Sequence, residues 1–449
     1  MMYNNSYHIN EDFIDEVYES SIYNERLLHY IWQQHLWQPT LLRTKDGKNV
    51  EVINNGRLNI NAGPDFFGAT IRIDNTIWVG NIEIHLKSSD WYLHGHDKDD
   101  KYNNVILHIC LNVNKDIYTK NGIKVPQVEI SIPQYIMSNY HNLIGDISNP
   151  PCHKILSTIK HIEILNWLDS MCVERMEQKI KRIDNYIDSF NGDWERIFFI
   201  VLARSFGFGV NADVFELWAK NIPLTSLAHH RDNLIQVEAF FFGQAGMLNE
   251  EYNINKDEYW NLLHDEYLFL KHKFNLSAIN PTLWKYLRMR PQNFPTIRIA
   301  QLAKLYHKGL LSLQSFIESN NIELLEHNLT IGVSEYWTSH YTFGNESRIT
   351  NKVIQKKTLH RLILNAICPI LFAYGKYLKK DELLTYAFDL LEQIPPEDNY
   401  IIRKWADIGI DAKNAADSQA LIQIYNEYCQ RKKCLRCVIG REYLKTNKY

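Results

Sequence analysis

Several things are scarce in this 449-residue chain, and each absence closes off a class of function. Charge of one sign is missing: 49 Lys and Arg face 52 Asp and Glu, giving a net −3 and a pI near 6.7. No global basic field gathers nucleic acid, so any such contact has to come from a local patch. Long apolar runs are missing too. The longest near the middle, Ile197 to Ala203, falls far short of the ~20 residues that span a bilayer, and no membrane partner is expected. No Lys or Arg precedes Arg26 and no apolar stretch follows the first Met, which argues against a secretory signal. Cysteines number only seven, an odd count that speaks against a disulfide framework. A cytoplasmic protein is expected. With 45% hydrophobic and 22% charged residues, the chain reads as an ordinary globular protein with room for more than one core.

What is present changes character near residue 150. Short β-rich runs fill the first part: Val50–Ile53, Gly68–Ile73, Ile77–Lys87, Val105–Val113 and Lys124–Ile132. Turn signals separate them, among them Asp46-Gly47, Ala62-Gly63-Pro64, Asp74-Asn75 and Asn121-Gly122. Before them, Leu27, Leu28, Ile31 and Leu36 recur at helical spacing behind the N-cap candidate Asn24. From about His161 the period lengthens to 3.6, and the Pro-rich joints at 149–151, 291–295 and 395–396 punctuate the helices. The predicted fold class is α+β: a leading helix with a mostly antiparallel or mixed sheet in residues 1–150, then a larger all-α domain in 151–449. The acidic start (Glu11, Asp12, Asp15, Glu16, Glu19) reads as a solvated face. Residues 431–449 are the reverse, with seven Lys or Arg against the single Glu442.

The stretch 59–109 concentrates the chemistry. Gly63-Pro64-Asp65 sits in a turn feeding the strand 68–73. On the next strand Glu83, His85 and Lys87 alternate with Ile82, Ile84 and Leu86, so the three polar side chains share one face. A hairpin through Asp74-Asn75-Thr76 brings Asp65 toward that polar row. A solvent-facing polar side of an antiparallel sheet would give the same alternation. Histidines crowd the same stretch: His85, His94, His96 and His108 fall within 24 positions. Neutral imidazole suits Zn²⁺, Mn²⁺ or Fe²⁺, and His94-x-His96 in a loop can present both rings to one ion. Trp91 and Tyr92 read as packing or a pocket wall.

The order Pro-Asp, hairpin, Glu-x-(Lys) resembles the metal-dependent nuclease superfamily named for its PD-(D/E)xK motif. That resemblance implies Asp65 and Glu83 as ligands of Mg²⁺ or Mn²⁺, a Lys that handles the attacking water, and Glu25 on the leading helix as an extra acidic ligand. The slot two residues after Glu83 holds His85, with Lys87 one alternation later. Either Lys87 substitutes from the same face, or His85 takes over as base or ligand. The chain also resembles an uncharacterised bacterial family, a domain of unknown function. The shared signatures are NAGPDF at 61–66, EIHLKSSDW at 83–91 with HGH at 94–96, and later blocks such as Arg204-Ser-Phe-Gly and Asp417-Ser-Gln-Ala-Leu-Ile-Gln.

Two further groups are candidates. Cys429-x4-Cys434-x2-Cys437 can place three thiolates on one ion, with Cys152 or His153 as the fourth ligand. Zinc is expected ahead of an iron–sulfur cluster, because only one Cys-x2-Cys pair is present. Arg288, Arg290 and Arg298 surround a Pro-bounded loop that could hold phosphate, or could be structural arginines at a helix start. Gly243-Gln244-Ala245-Gly246 lacks the Lys-Ser/Thr of a phosphate loop. The leading expectation is a metal-dependent phosphodiesterase or nuclease. The alternatives are a histidine-site metal hydrolase acting on something other than nucleic acid, and a non-catalytic scaffold with Asp65 and Glu83 far apart or paired to basic neighbours.

Overall fold

The computed structural model describes residues 24–38, 41–59, 61–145, 150–252, 255–319 and 321–446, so the acidic start lies outside the described residues. Two compact units divide them. One contains the described residues up to His161 together with those from Ile424 onward, and the other is Ile162–Gln423.

The sheet unit opens with α1 (Glu25–Gln33), whose N-cap Asn24 accepts the Leu27 N–H at 2.8 Å. Leu27, Leu28, Ile31 and Trp32 are buried, and the helix packs on the sheet strand β5 (Thr76–Lys87). The other strands are β1 (Leu42–Arg43), β2 (Asn49–Asn54), β3 (Arg57–Leu58), β4 (Phe66–Ile73), β6 (Val105–Asn112) and β7 (Gln127–Glu129). They run in the order β1-β2-β4-β5-β6-β7, with β3 paired to β4. Pairing is antiparallel as far as β5, whereas β5–β6 and β6–β7 are parallel. Isolated bridges Thr44–Val128 and Gln38–Ser131 tie the far edge back to the region of β7, so the sheet nearly closes on itself.

The parallel step needs a crossover, and residues 88–104 supply it through α2 (Asp90–Leu93) and two 3₁₀ turns. Its apolar side forms a small core of Trp91, Tyr102, Val105, Ile117 and Val125. A further helix, α3 (Gln134–Gly145), lies where the sequence periodicity gave none.

The sequence division put everything after 150 with the helices. The segment from Ile424 belongs with the sheet unit instead, and specific hydrogen bonds hold it there. Asn139 on α3 donates its side-chain N–H to the carbonyls of Thr446 (2.8 Å), Tyr443 (3.2 Å) and Leu444 (3.3 Å), and Tyr30 on α1 donates its hydroxyl to the Arg441 carbonyl (3.2 Å).

The other unit is helical, as the 3.6 period predicts, save for one short hairpin, β8 (His340–Thr342) with β9 (Asn345–Glu346). Its helix Lys356–Leu378 is long and apolar enough to cross a bilayer by composition, yet 72% of that window is buried inside the structure. It is a core helix, interrupted by a π turn at Ile363–Ile367.

Candidate functional site

The β4–β5 hairpin decides which carboxylates meet. Its register pairs Phe66 with Ile82 across the antiparallel ladder, so Asp65, one residue before β4, stands opposite Glu83. Gly63, at φ +120°, takes the turn that delivers Asp65 to this position. The Asp65 N–H donates to Glu83 Oε2 at 3.0 Å, and the Ile84 N–H donates to Asp65 Oδ2 at 2.9 Å. The two carboxyl groups are therefore immediate neighbours, contrary to the wide separation that the scaffold expectation allowed. No Lys or Arg pairs with either among the described residues. Their nearby bases are histidines: His29 Nε2 lies 3.2 Å from Asp65 Oδ2, and His96 Nε2 lies 3.1 Å from Glu83 Oε1.

The parallel neighbour β6 brings the next group. Register places Glu83 beside His108 and His85 beside Cys110, and residues paired in a parallel ladder point to the same side of the sheet. His85 Nδ1 is 2.8 Å from His108 Nε2, and His85 Nε2 is 3.1 Å from His94 Nδ1. His85, His94 and His96 each offer a ring nitrogen within 4.8 Å of the others. The first two members of the polar row on β5 are thus interior: Glu83 is 4% and His85 1% exposed. The crossover segment supplies His94 and His96. Trp91 forms a wall, with its ring centroid 5.4 Å from that of His96 and its indole N–H donated to the Tyr118 carbonyl at 3.0 Å.

Two candidates stand apart. Lys87 is exposed at the end of β5, and its ammonium makes no ion pair among the described residues. Arg298 is only 4% exposed, with its guanidinium donating to Gln301 (2.8 Å) and Asn293 (2.7 Å). Burial and these two side-chain partners withdraw it from solvent, with Nε left unpartnered in the interior, which corrects its reading as a phosphate ligand. Arg288 and Arg290 are exposed on the same loop of the helical unit.

Two residues of the cluster have signals in the sequence that go beyond the motif. His29 follows Glu25 by four positions on α1, so the two share a helix face. Glu25 interacts electrostatically with both Asp65 and Glu83, which makes three carboxyls in one group. Burial and the negative charge of Asp65 push Glu25 up to about 7 and push Glu83 well above the carboxylate range. Burial, helped by neighbouring imidazoles, pushes His85 down to about 2 and His96 to about 4, and burial takes His108 down to about 3. The histidines are neutral near pH 7, the form in which imidazole binds a metal.

These shifts set opposite slopes for stability. Below about pH 6.5 the unfolded chain's imidazoles take protons that the folded site refuses, so stability falls as the pH drops toward the folded values near 3–4. Above that range Glu83, and up to about 7 Glu25, hold protons that the unfolded chain has already released, so stability falls as the pH rises. The metal-free protein is expected to show a stability dome with its maximum between about 6 and 7. Thermal denaturation across pH tests this. Glu83→Gln should flatten the alkaline limb and His96→Gln the acid limb; unchanged limbs in both variants would contradict the crowding.

A pocket of about 110 Å³ opens beside His29, lined also by Arg26, Lys432, Lys433 and Arg436. The basic segment near the end of the chain and the first helix thus share one cavity, adjoining the histidine that touches Asp65. In the helical unit, a larger cavity of about 340 Å³ is lined by Lys179, Arg182, Arg204 and Arg361 around Phe208. There Arg204 pairs with Asp213 (2.6 Å) and Glu216 (2.7 Å), and Lys179 donates to the Leu364 carbonyl (3.2 Å) and Asn365 (3.1 Å). Those cations brace helices.

Neither the curated proteins nor the solved structures contain a match to this chain. Residues 25–400 match a family model that covers α1, the whole carboxylate–histidine cluster and most of the helical unit. The chain belongs to the family described as "Protein of unknown function (DUF2851)".

Proposed function

We propose that the sheet unit is a divalent-metal-dependent phosphodiesterase acting on nucleic acid. One observation carries this reading: Asp65 and Glu83 meet across the hairpin, with His29 beside Asp65 and His96 beside Glu83, next to a pocket lined by Arg26, Lys432, Lys433 and Arg436. Three carboxyls crowded without a compensating Lys or Arg are the donor set a hard cation would relieve, and the imidazoles beside them favour Mn²⁺ over Mg²⁺. When bound, such an ion supplies Lewis acidity toward a phosphoryl oxygen and acidifies water. Asp65 and Glu83 would hold it, and Glu25 would add charge. His85 stands two residues after Glu83, the slot that the PD-(D/E)xK motif fills with Lys. His108 on its Nδ1 side fixes the ring, leaving Nε2 toward His94 and Glu83. The guanidinium and ammonium groups of the basic pocket match phosphate oxygens of a strand.

The test is nicking of plasmid DNA and cleavage of single-stranded RNA with Mn²⁺ or Mg²⁺, comparing wild type with Asp65→Asn. Activity present in wild type and lost in the variant supports the reading. Equal background in both would end it.

The His85–His94–His96 group favours a second reading, a transition-metal hydrolase with a substrate other than nucleic acid. It predicts a stoichiometric transition metal that is lost on His94→Ala, together with no cleavage of either nucleic acid.

A further inference from the structure

Four cysteines remain that the carboxylate site does not use. Cys152, Cys429, Cys434 and Cys437 are all buried, none is in a disulfide, and all belong to the sheet unit despite the whole helical unit between them in sequence. Cys152 interacts electrostatically with each of the other three, and Cys429 with Cys434 and Cys437. Bare hydrophobic packing does not require this convergence, since a buried thiol packs wherever a small apolar group fits.

The backbone between 429 and 437 is bent by three separate devices. Cys429 closes a π turn (Ile424–Cys429), Lys432 takes φ +50°, and Cys434 opens a 3₁₀ turn. Cys437 is then the N-cap residue of the helix Val438–Lys445. Gly440 is required at this point: a Cβ there would lie 2.3 Å from the Cys434 carbonyl oxygen.

Spacing separates the two metals that four thiolates can hold. Zn–S bonds of about 2.3 Å in a tetrahedron would draw the sulfurs to ~3.8 Å from one another. Among the described residues, the group of three ligand atoms lying within 4.8 Å of one another is His85–His94–His96, and no cysteine belongs to such a group. No three of the four sulfurs lie that close together, which suits a polynuclear centre better than a single zinc ion. This spacing weighs for iron against the zinc that the single Cys-x2-Cys pair suggested.

We propose that Cys152, Cys429, Cys434 and Cys437 ligate an iron–sulfur cluster that clasps the 429–437 segment to the sheet unit. Between these ligands lie Lys432, Lys433 and Arg436, which line the pocket beside His29. The cluster is structural: it fixes the cations of that pocket, a role that rests on the phosphodiesterase reading, whereas the cluster itself does not.

The experiment is anaerobic purification of the full chain, with analysis of iron, zinc and acid-labile sulfide and a visible absorption spectrum. Iron and sulfide in matching amounts with charge-transfer absorption are expected. Cys152→Ala and Cys434→Ala should lose both, and Cys110→Ala should keep both. Should the cysteine variants fail to fold, removal of the metal from wild type and reconstitution with iron and sulfide gives the same reading. Wild type holding no iron, or zinc without sulfide, overturns the proposal, as does a folded Cys434→Ala that keeps the chromophore. Glu83→Gln separates the two ideas. It should retain iron and sulfide while losing cleavage, so a chromophore without activity in wild type would sink the phosphodiesterase alone.

Discussion

Replacing Glu83 with glutamine is expected to lower metal-dependent cleavage by ~10³-fold, the equivalent of about 4 kcal/mol of transition-state stabilisation. The substitution preserves volume and leaves an oxygen for the Asp65 N–H, which Glu83 now receives at 3.0 Å. It removes the charge that would hold the cation and turns an amide toward His96, now 3.1 Å from the carboxylate. Folding should survive, and the metal-free protein should even gain stability at high pH, since a buried group that must ionise beside Asp65 has gone. Single-turnover rates at saturating Mn²⁺, with circular dichroism as the control for folding, decide the matter. A variant within tenfold of wild type would remove Glu83 from the chemistry.

Trp91→Ala should be the most damaging single change to the stability of the sheet unit. Trp91 is fully buried and packs edge-on against Tyr102, His96 and His108, with centroids 5.8, 5.4 and 5.9 Å away. It also donates its indole N–H to the Tyr118 carbonyl at 3.0 Å. Truncating a buried Trp costs about 3–5 kcal/mol, and the orphaned carbonyl adds about 1 kcal/mol. A drop of roughly 8–15 °C in the melting temperature is expected for a unit of this size. Trp91→Phe should recover most of the packing and none of the hydrogen bond. A melting temperature within 2–3 °C of wild type for Trp91→Ala would mean the crossover segment is not held by this core.

The antiparallel part of the sheet was legible because each strand carries its own signal. The alternating run Ile77–Lys87 emerges as Thr76–Lys87, and the Asp74-Asn75 turn sits where the hairpin needs a residue at φ +51°. The parallel pairing was not, because nothing local in Val105–Asn112 says which neighbour it takes; that depends on the crossover of residues 88–104 and its buried Trp91. Asp65 and Glu83 could be placed together from the hairpin alone. His29 could not, since the helix carrying it docks by tertiary packing, although its spacing from Glu25 was in plain view. The convergence of Cys152 with the later cysteines likewise depends on Asn139 and Tyr30 capturing a segment 307 and 411 residues away from them in sequence.

That capture makes the sheet unit discontinuous in sequence, with Ile162–Gln423 lying between its two parts along the chain. On a ribosome the nascent β-strands would emerge long before the segment that closes their unit, and at about 5–20 residues per second the wait lasts tens of seconds. During that interval the partner surfaces of Asn139 and Tyr30 lack their covering helix, and Cys152 stands without the other three sulfurs. Assembly of this half of the protein is therefore a late event, timed by synthesis of the other half.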